Sequence, residues 1–306
     1  MADTRTEHPV APDDLAAVRS LARRAEACSH HGPLGEAVWR DLESGGRPGS
    51  AGVYETNGEE LIGYAHVSPS DTFAPQHWTS TYAVDPTAAR ADAVPGLLHG
   101  VVAHVERAGG GTLVLWVVAP TEIDDEIAAD QGFKPTRDLL QMRVALPLAE
   151  PAVWPDGIDV RPFVPGRDEQ PWLRVNNRAF ANHPDQGGWI EATLEGRMHD
   201  TWFDPAGFLL AWDDDELAGF CWTKIHPGDS DAAGVGEIFV IGVDPDRQGT
   251  GLGRALVAGG LESLAARDVT DALLYVDRAN AAAVGLYTAL GFTVYRRDRS
   301  YERMVP

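Results

Sequence analysis

The chain repeats its own plan, and this internal repeat constrains its fold more than any other feature. Three stretches in the first half recur in the second half at one constant separation of 159 positions. The matched pairs are Val84-Asp85-Pro86 with Val243-Asp244-Pro245, 113–117 with 272–276, and Gln131-Gly132-Phe133 with Leu290-Gly291-Phe292. Three matches at one separation are hard to explain by chance. The chain therefore reads as a tandem duplication, each copy a mixed α/β sheet flanked by helices.

A proline-rich connector lies between the two copies. Residues 147–157 read PLAEPAVWPDG, a composition typical of a loop between folded segments. A chain of 306 residues is long enough for two domains of ordinary size. We expect an N-terminal domain at 1–146, a linker at 147–157 and a C-terminal domain at 158–306.

The second copy contains a glycine-rich loop between a strand and a helix. The apolar run 236–243 predicts a strand, and an apolar-periodic helix is expected over 252–264. Between them, Gly249, Gly251 and Gly253 allow backbone N–H groups to point at one spot beside a helix N-terminus. Such a geometry can bind a pyrophosphate. One acidic residue, Glu237, lies within the strand, where a buried charge needs a chemical reason.

Two well-known phosphate-binding loops do not fit this segment. The phosphate loop of nucleoside triphosphatases requires Gly-Lys-Ser/Thr, whereas Arg254-Ala255 follows the last glycine here. The dinucleotide fingerprint requires Gly-x-Gly-x-x-Gly, and the spacing of these glycines is different. A phosphate cradle beside a candidate base therefore predicts group transfer from another nucleotide-bearing donor.

The pattern that remains is Gln-x-x-Gly-x-Gly, at residues 248–253. It resembles the coenzyme A loop of the GNAT acetyltransferase superfamily. The block from Tyr275 to Phe292 resembles the superfamily's last motif, which supplies an asparagine to the coenzyme and a tyrosine to the leaving sulfur. The resemblance implies acetyl-CoA as cosubstrate, no metal, Glu237 as general base and Tyr287 as general acid. It implies coenzyme contacts by Ile241, Gly242, Val243, Gln248, Gly249, Thr250, Gly251, Leu252, Gly253, Arg254, Asn280 and Ala283.

The strand that carries 241–243 should separate from its neighbour and leave N–H groups for the pantetheine arm. A backbone N–H at Val243, or next to it, is the expected donor to the oxyanion of the tetrahedral intermediate. The first copy differs at these positions. At a separation of 159, the three glycines of the loop become Arg90, Asp92 and Val94, Glu237 becomes Trp78, and Tyr287 becomes Ala128. We expect the first domain to lack catalysis.

A chain with two such copies, of which only the second is active, resembles members of the mycothiol synthase family. Further marks are Trp202-Phe203-Asp204-Pro205 and Gly219-Phe220-Cys221-Trp222-Thr223-Lys224-Ile225-His226. This resemblance implies acetylation of the cysteinyl amine of desacetylmycothiol (Cys-GlcN-Ins), a small-molecule acceptor. It implies acceptor contacts by Glu36, Asp185, Lys224, Glu237 and Tyr275.

Simpler interpretations exist for these residues. Glu36 could favour a helix dipole, Asp185 could serve a turn, and Lys224 could point to solvent from its strand. Tyr275 and Tyr287 could be core aromatics. Two other functions also remain open: acetylation of another small-molecule or peptide amine, and a non-catalytic acyl-CoA sensor.

Composition limits the partners of the chain. Its net charge of −21 argues against non-specific nucleic-acid binding and is compatible with a cationic amine as acceptor. Two cysteines in separate halves predict no disulfide framework and no metal site, and Cys221 is expected to fill core space. No apolar run reaches the length of a membrane span. We expect a cytoplasmic protein, active as a monomer.

Overall fold

A computed structural model describes residues 3–7, 12–29, 31–70, 76–181, 186–227 and 234–306. Asp185 lies outside the described residues. The chain falls into two compact units, one formed by residues 1–139 with 297–306 and the other by residues 140–296. Each unit is a mixed sheet with helices, as the sequence predicts for a duplicated chain.

In the part of the chain that the structure describes, the first unit up to residue 139 contains four helices, five complete strands and the start of a sixth. In chain order these elements are β1 Asp3–Glu7, α1 Pro12–Ser29, α2 Glu36–Glu43, β2 Ala51–Asn57, β3 Glu60–Pro69, β4 His77–Val84, α3 Arg90–Arg107, β5 Gly111–Val117, α4 Glu122–Asp130 and β6 Lys134–Ala145. Strands β1 to β4 pair antiparallel in sequence order, and β4 pairs with β5 in parallel. The core between α3 and this sheet is built mainly from valine, leucine and alanine side chains, with a few aromatic rings such as Trp78.

The second unit holds the elements that follow, up to residue 296. They are β7 Ile158–Pro162, α5 Glu169–Ala179, α6 Glu191–Met198, β8 Phe208–Asp213, β9 Glu216–His226, β10 Val235–Val243, α7 Leu252–Ala265, β11 Asp271–Asp277 and α8 Ala281–Ala289. The last strand, β12 Thr293–Val305, belongs to the first unit from Arg297 onward. The strand order is β11-β10-β9-β8-β7, with β10 and β11 parallel and the other pairs antiparallel. The mixed sheet flanked by helices that the sequence predicts is confirmed, and most of its strand pairs are antiparallel.

The two faces of this second sheet are packed differently. Helix α7 covers an aliphatic core that includes Cys221, Ile238 and Leu256. The other face carries an aromatic cluster around Trp172 and Trp222, on the side of α5 and α6. Cys221 is fully buried, as expected for a small core residue, and burial raises the pKa of its thiol to about 12.

The C-terminal strand completes the first unit. From Arg299 to Val305, β12 pairs antiparallel with β5, between Val117 and Gly111. The last ten residues therefore belong to the first unit, and residues 140–296 form the second unit. These limits differ from the expected boundaries at 146 and 158, which stay a prediction about independently folding domains. A fragment that ends at residue 146 would lack this strand.

Candidate active site

Glu237 is a buried carboxylate on a central strand of the second unit. It lies on β10, which is flanked by β9 and β11, and only 8% of the residue is exposed. An ionised carboxylate this far from water requires polar or charged partners. The structure supplies them from β9, the antiparallel neighbour.

Lys224 lies directly opposite Glu237 in the pairing of β9 with β10. Residues opposite each other in an antiparallel pair project from the same face of the sheet. The lysine is 6% exposed, and its Nζ lies 4.6 Å from the ring centroid of Trp202 and 5.9 Å from that of Phe239. Lys224 is thus a buried cation against two aromatic rings rather than a solvent-facing side chain.

His226 is a hydrogen-bonding partner of the Glu237 carboxylate. Its Nε2 lies 2.6 Å from Oε2 of Glu237. The imidazole is 40% exposed and the carboxylate side chain 11%, so the pair joins a buried group to the surface. The sequence analysis assigned no role to His226. The period of two along β9, which places residues 224 and 226 on one face, was the signal that could have identified it.

Strands β10 and β11 part beside Glu237. Their parallel pairing covers Gly236 to Ile238 and stops there, although β10 continues to Val243. A register shift in the pairing with β9, between Ile238 and Val240, marks a bulge at the same place. The expected separation is therefore present. It leaves the β11 side of residues 239–243 without a paired strand, so backbone polar groups there are available to a ligand.

The glycine-rich loop has the backbone geometry that the sequence predicts. Gly249 and Gly251 have φ of +77° and +88°, a region that disfavours other residues. Gly251 is the N-cap of α7, and the N–H of Ala255 makes the helix's first bond to its carbonyl. The N–H groups of 252–254 therefore precede the helical ladder and are free to bind an anion. A Cβ at either of the two glycines would meet nothing within 4 Å, so the loop is open on that side.

The cations near this loop are engaged by carboxylates. A guanidinium nitrogen of Arg247 lies 3.0 Å from Asp213, and one of Arg254 lies 4.0 Å from Glu150. The hydroxyl of Thr250 donates to the carbonyl of Arg247 over 2.9 Å and closes the turn. The amide of Gln248 lies 3.5 Å from the carbonyl of Val243.

Helix α8 begins directly after Asn280. Oδ1 of Asn280 accepts the N–H of Ala283 over 3.1 Å and caps the helix. The helix ends before Gly291, whose φ is +93°. Tyr287 is 8% exposed, and its ring lies 5.8 Å from that of Phe292. Burial, with a smaller contribution from the thiol of Cys221, raises the pKa of Tyr287 to about 12. The phenol therefore keeps its proton at neutral pH.

Tyr275 lies on the same face as Glu237, one position beyond the end of the β10–β11 pairing. In that pairing Glu237 matches Leu273, and residues two apart in a strand share a face. The Tyr275 hydroxyl accepts hydrogen bonds from Nε2 of Gln141 at 2.7 Å and from Arg296 at 3.3 Å. Gln141 is buried, and its Oε1 has no partner among the described residues. The sequence offers no signal for Gln141, which reads as an ordinary strand residue.

Glu36 belongs to the first unit. It is the first residue of α2, follows the N-cap Gly35, and lies 3.0 Å from Arg40 one turn later. This position favours the helix dipole, and an acceptor contact by Glu36 stays a prediction. For Asp185 the structure gives no position.

At the positions that correspond by the separation of 159, all of them described, the first unit lacks the glycine cradle and the two catalytic candidates. Helix α3 starts at Arg90, and Val94 is a core residue that is 1% exposed. Trp78, the counterpart of Glu237, is a core residue whose indole N–H donates to the carbonyl of Gly110. Ala128, the counterpart of Tyr287, is also in the core.

Within the described ranges, no three His, Cys, Asp or Glu side chains cluster as a metal site would require. In the same ranges, no helix is long and apolar enough to cross a membrane.

Comparison with known proteins identifies relatives along the full chain. Residues 170–292 match a family described as the acetyltransferase (GNAT) family. A mycothiol acetyltransferase from Thermobispora bispora is 41% identical over 302 residues, covering 98% of this chain and 99% of the relative. Another from Kocuria rhizophila is 39% identical over 297 residues, covering 95% of each chain.

Two solved structures share the fold. A GCN5-related N-acetyltransferase from Sphaerobacter thermophilus superposes with a TM-score of 0.78 at 22% identity, covering 99% of this chain and 96% of its own. A tandem GNAT protein from the clavulanic acid biosynthesis pathway gives a TM-score of 0.74 at 17% identity, covering 100% and 99%. The similarity extends over both units and confirms a tandem GNAT fold.

Proposed function

We propose, from the premise that this chain belongs to the mycothiol acetyltransferase family of GNAT enzymes, that it acetylates the cysteinyl amine of desacetylmycothiol. The products are mycothiol and coenzyme A. The observation that carries the chemistry is Glu237, a buried carboxylate where β10 leaves β11, on the strand that leads to the open glycine loop. The acceptor is inferred from the relatives that match nearly the whole chain.

In this proposal acetyl-CoA binds through main-chain groups. The diphosphate lies against the N–H groups of the loop 248–254, where the dipole of α7 favours an anion. The pantetheine arm runs along 241–243, beside the part of β10 that has no partner on the β11 side. Asn280 and Ala283 border the same coenzyme at the start of α8. The backbone N–H of Val243, or of a neighbour, donates to the oxyanion of the intermediate.

Glu237 and Tyr287 divide the proton transfers. The acceptor enters as an ammonium, and Glu237 removes one proton so that the amine lone pair can attack the thioester carbonyl. The C–N bond forms, the carbonyl oxygen becomes the oxyanion, and the C–S bond then breaks. Tyr287 protonates the departing thiolate and regains a proton from the nitrogen. One proton per turnover leaves the enzyme.

The acceptor contacts follow from the chemistry of an ammonium and a polyhydroxylated sugar. The face that carries Glu237 also carries Lys224, a donor, and Tyr275, a hydroxyl. Glu36 and Asp185 are assigned to the same acceptor by resemblance. The first unit has core residues at the positions of Glu237 and Tyr287, and we assign it no catalytic role.

We also propose which partners the protein binds, its oligomeric state and its compartment. A net charge of −21 supports a protein that binds neither nucleic acid nor anionic membranes. We expect a monomer that acts in the cytoplasm and needs no metal.

The test is release of the coenzyme A thiol from acetyl-CoA with a panel of amines. The panel contains cysteinyl-glucosaminyl-inositol, an aminoglycoside, a polyamine and a peptide N-terminus. Release with the first compound alone, with mass-spectrometric detection of its N-acetyl product, supports the proposal. Release only with another amine reassigns the acceptor. Tight acetyl-CoA binding without release from any amine would identify a sensor.

A further inference from the structure

Among the described residues, a hydrogen bond to His226 links the buried base Glu237 to a side chain that reaches solvent. Each turnover releases one net proton, because the acceptor enters as an ammonium and leaves as an amide while the coenzyme leaves as a thiol. Glu237, whose side chain is 11% exposed, must return to its carboxylate form before the next turnover. Its Oε2 is in hydrogen-bond contact with Nε2 of His226, whose side chain is 40% exposed.

We propose that His226 is a proton-relay residue, which carries the proton from Glu237 to solvent. This inference rests on the proposed role of Glu237 as base and adds the step that resets it. His226 acts through Glu237 and need not touch the acceptor.

The relay moves one proton per turnover from the amine to water. At rest Nε2–H donates to the Glu237 carboxylate across the 2.6 Å hydrogen bond. After the ammonium gives a proton to Glu237, exchange with water at the half-exposed ring moves the ring proton from Nε2 to Nδ1. The neutral carboxyl group then donates its proton to Nε2, and the resulting imidazolium releases the Nδ1 proton to water. Nε2–H faces a carboxylate once more, and the cycle is closed. Histidine suits this task because its ordinary pKa of ~6.5 lies near neutrality.

The hairpin between β9 and β10 holds the pair in place. His226 is the last residue of β9 and lies opposite Val235, two residues before Glu237. A Cβ at Gly234 would lie 2.5 Å from the His226 carbonyl, so glycine is needed for this close return of the chain. Lys224 on β9 and Tyr275 on β11 also lie on the face of Glu237. Two further charged groups approach this face: Arg296 lies 3.3 Å from the Tyr275 hydroxyl, and Arg197 lies 5.9 Å from the Phe239 ring.

The first test compares His226→Ala with wild type as the pH changes. An α-amino group has a pKa of about 7.7–8.0, so the cysteinyl amine is mostly charged at pH ~7 and neutral near pH ~9.5. At pH ~7 we expect kcat to fall by roughly 10- to 100-fold, at or below the low end of the range for loss of a proton-transfer group. Near pH ~9.5 the amine enters neutral, no proton has to pass through Glu237, and the difference should disappear. The KM for acetyl-CoA should not change.

The second test is chemical rescue. Imidazole added at pH 7 should restore the rate of His226→Ala, because it can occupy the vacated, half-exposed position. His226→Gln should be slow at pH 7 without rescue, since an amide fills the space and can bond Glu237 but cannot pass a proton. His199→Ala, which changes an exposed histidine that follows α6, is the matched control and should behave as wild type.

A deficit in His226→Ala that is equal at both pH values, with no imidazole response, would show a structural role and overturn the relay. An unchanged rate at pH 7 would do the same. These outcomes differ from failure of the proposed acceptor. If wild type is inactive with cysteinyl-glucosaminyl-inositol, the acceptor assignment falls, and the relay is measured with whichever amine of the panel supports thiol release.

Discussion

Lys224 and Glu237 stand directly opposite each other on β9 and β10, a buried ammonium and a buried carboxylate on one face of the sheet. The aromatic rings of Trp202 and Phe239 lie beside the Lys224 Nζ and stabilise a cation there. Strand register therefore fixes the relative positions of the two side chains.

Glu237→Gln should abolish most turnover and leave acetyl-CoA binding almost intact. The amide keeps the shape of the side chain but cannot accept the amine proton, so kcat at neutral pH should fall by ~10²–10⁴-fold. Steady-state thiol release and calorimetric titration with acetyl-CoA measure the two effects. Glu262→Gln, the same change at an exposed position on α7, is the control and should be silent. Wild-type turnover in Glu237→Gln would remove the residue from its role as base.

Tyr287→Phe should slow turnover more than it weakens coenzyme binding, because only the proton for the thiolate is lost. The raised pKa of Tyr287, about 12, also sets the direction in which its contribution to the rate changes with pH. The neutral phenol is the acid, so its contribution should persist up to pH ~10, the ordinary pKa of a tyrosine. It should be lost only as the pH rises through the raised value. A pH–rate profile of the wild type in which a basic limb near pH ~8 is absent from Tyr287→Phe would contradict this assignment.

Gly251→Ala should weaken acetyl-CoA binding. Its φ of +88° is costly for alanine, by ~1–2 kcal/mol, although a Cβ there would meet no neighbour. We expect the loop to relax away from the cradle geometry and the KM for acetyl-CoA to rise by about tenfold, the equivalent of ~1.4 kcal/mol. Gly196→Ala, in α6, is the matched control because its Cβ also meets nothing within 4 Å. An unchanged KM in Gly251→Ala would show that the loop conformation does not govern binding.

Gly260→Ala should destabilise the second unit. An added Cβ would lie 2.5 Å from Sγ of Cys221 and 3.0 Å from Cδ1 of Ile238, where α7 packs on the sheet. Overpacking of this kind costs ~1–3 kcal/mol, more than the ~0.5–1 kcal/mol that alanine gains over glycine in a helix. Urea unfolding measures the change. Adding Cys221→Ala should recover part of the loss, and simple additivity of the two substitutions would contradict the proposed contact.

Local signals predicted the local structure well. The helix expected over 252–264 and the glycine-rich loop before it depend on neighbouring residues, and the structure has both, with the helix at Leu252–Ala265. The separation of β10 from β11 was also expected, from the resemblance of this segment to a coenzyme-binding strand. In contrast, the burial of Lys224 could not be read from its strand, because Trp202 is brought to it only by the fold.

The sequence by itself determined the duplication, the positive φ of the loop glycines and the position of a charged residue in an apolar strand. These features follow from short-range periodicity and steric limits on the backbone. Only the tertiary structure decided that His226 bonds Glu237, that Gln141 holds the Tyr275 hydroxyl, and that the last strand pairs with β5. Each of these contacts needs a specific register between strands, and register depends on how whole faces of a sheet are buried rather than on any one segment.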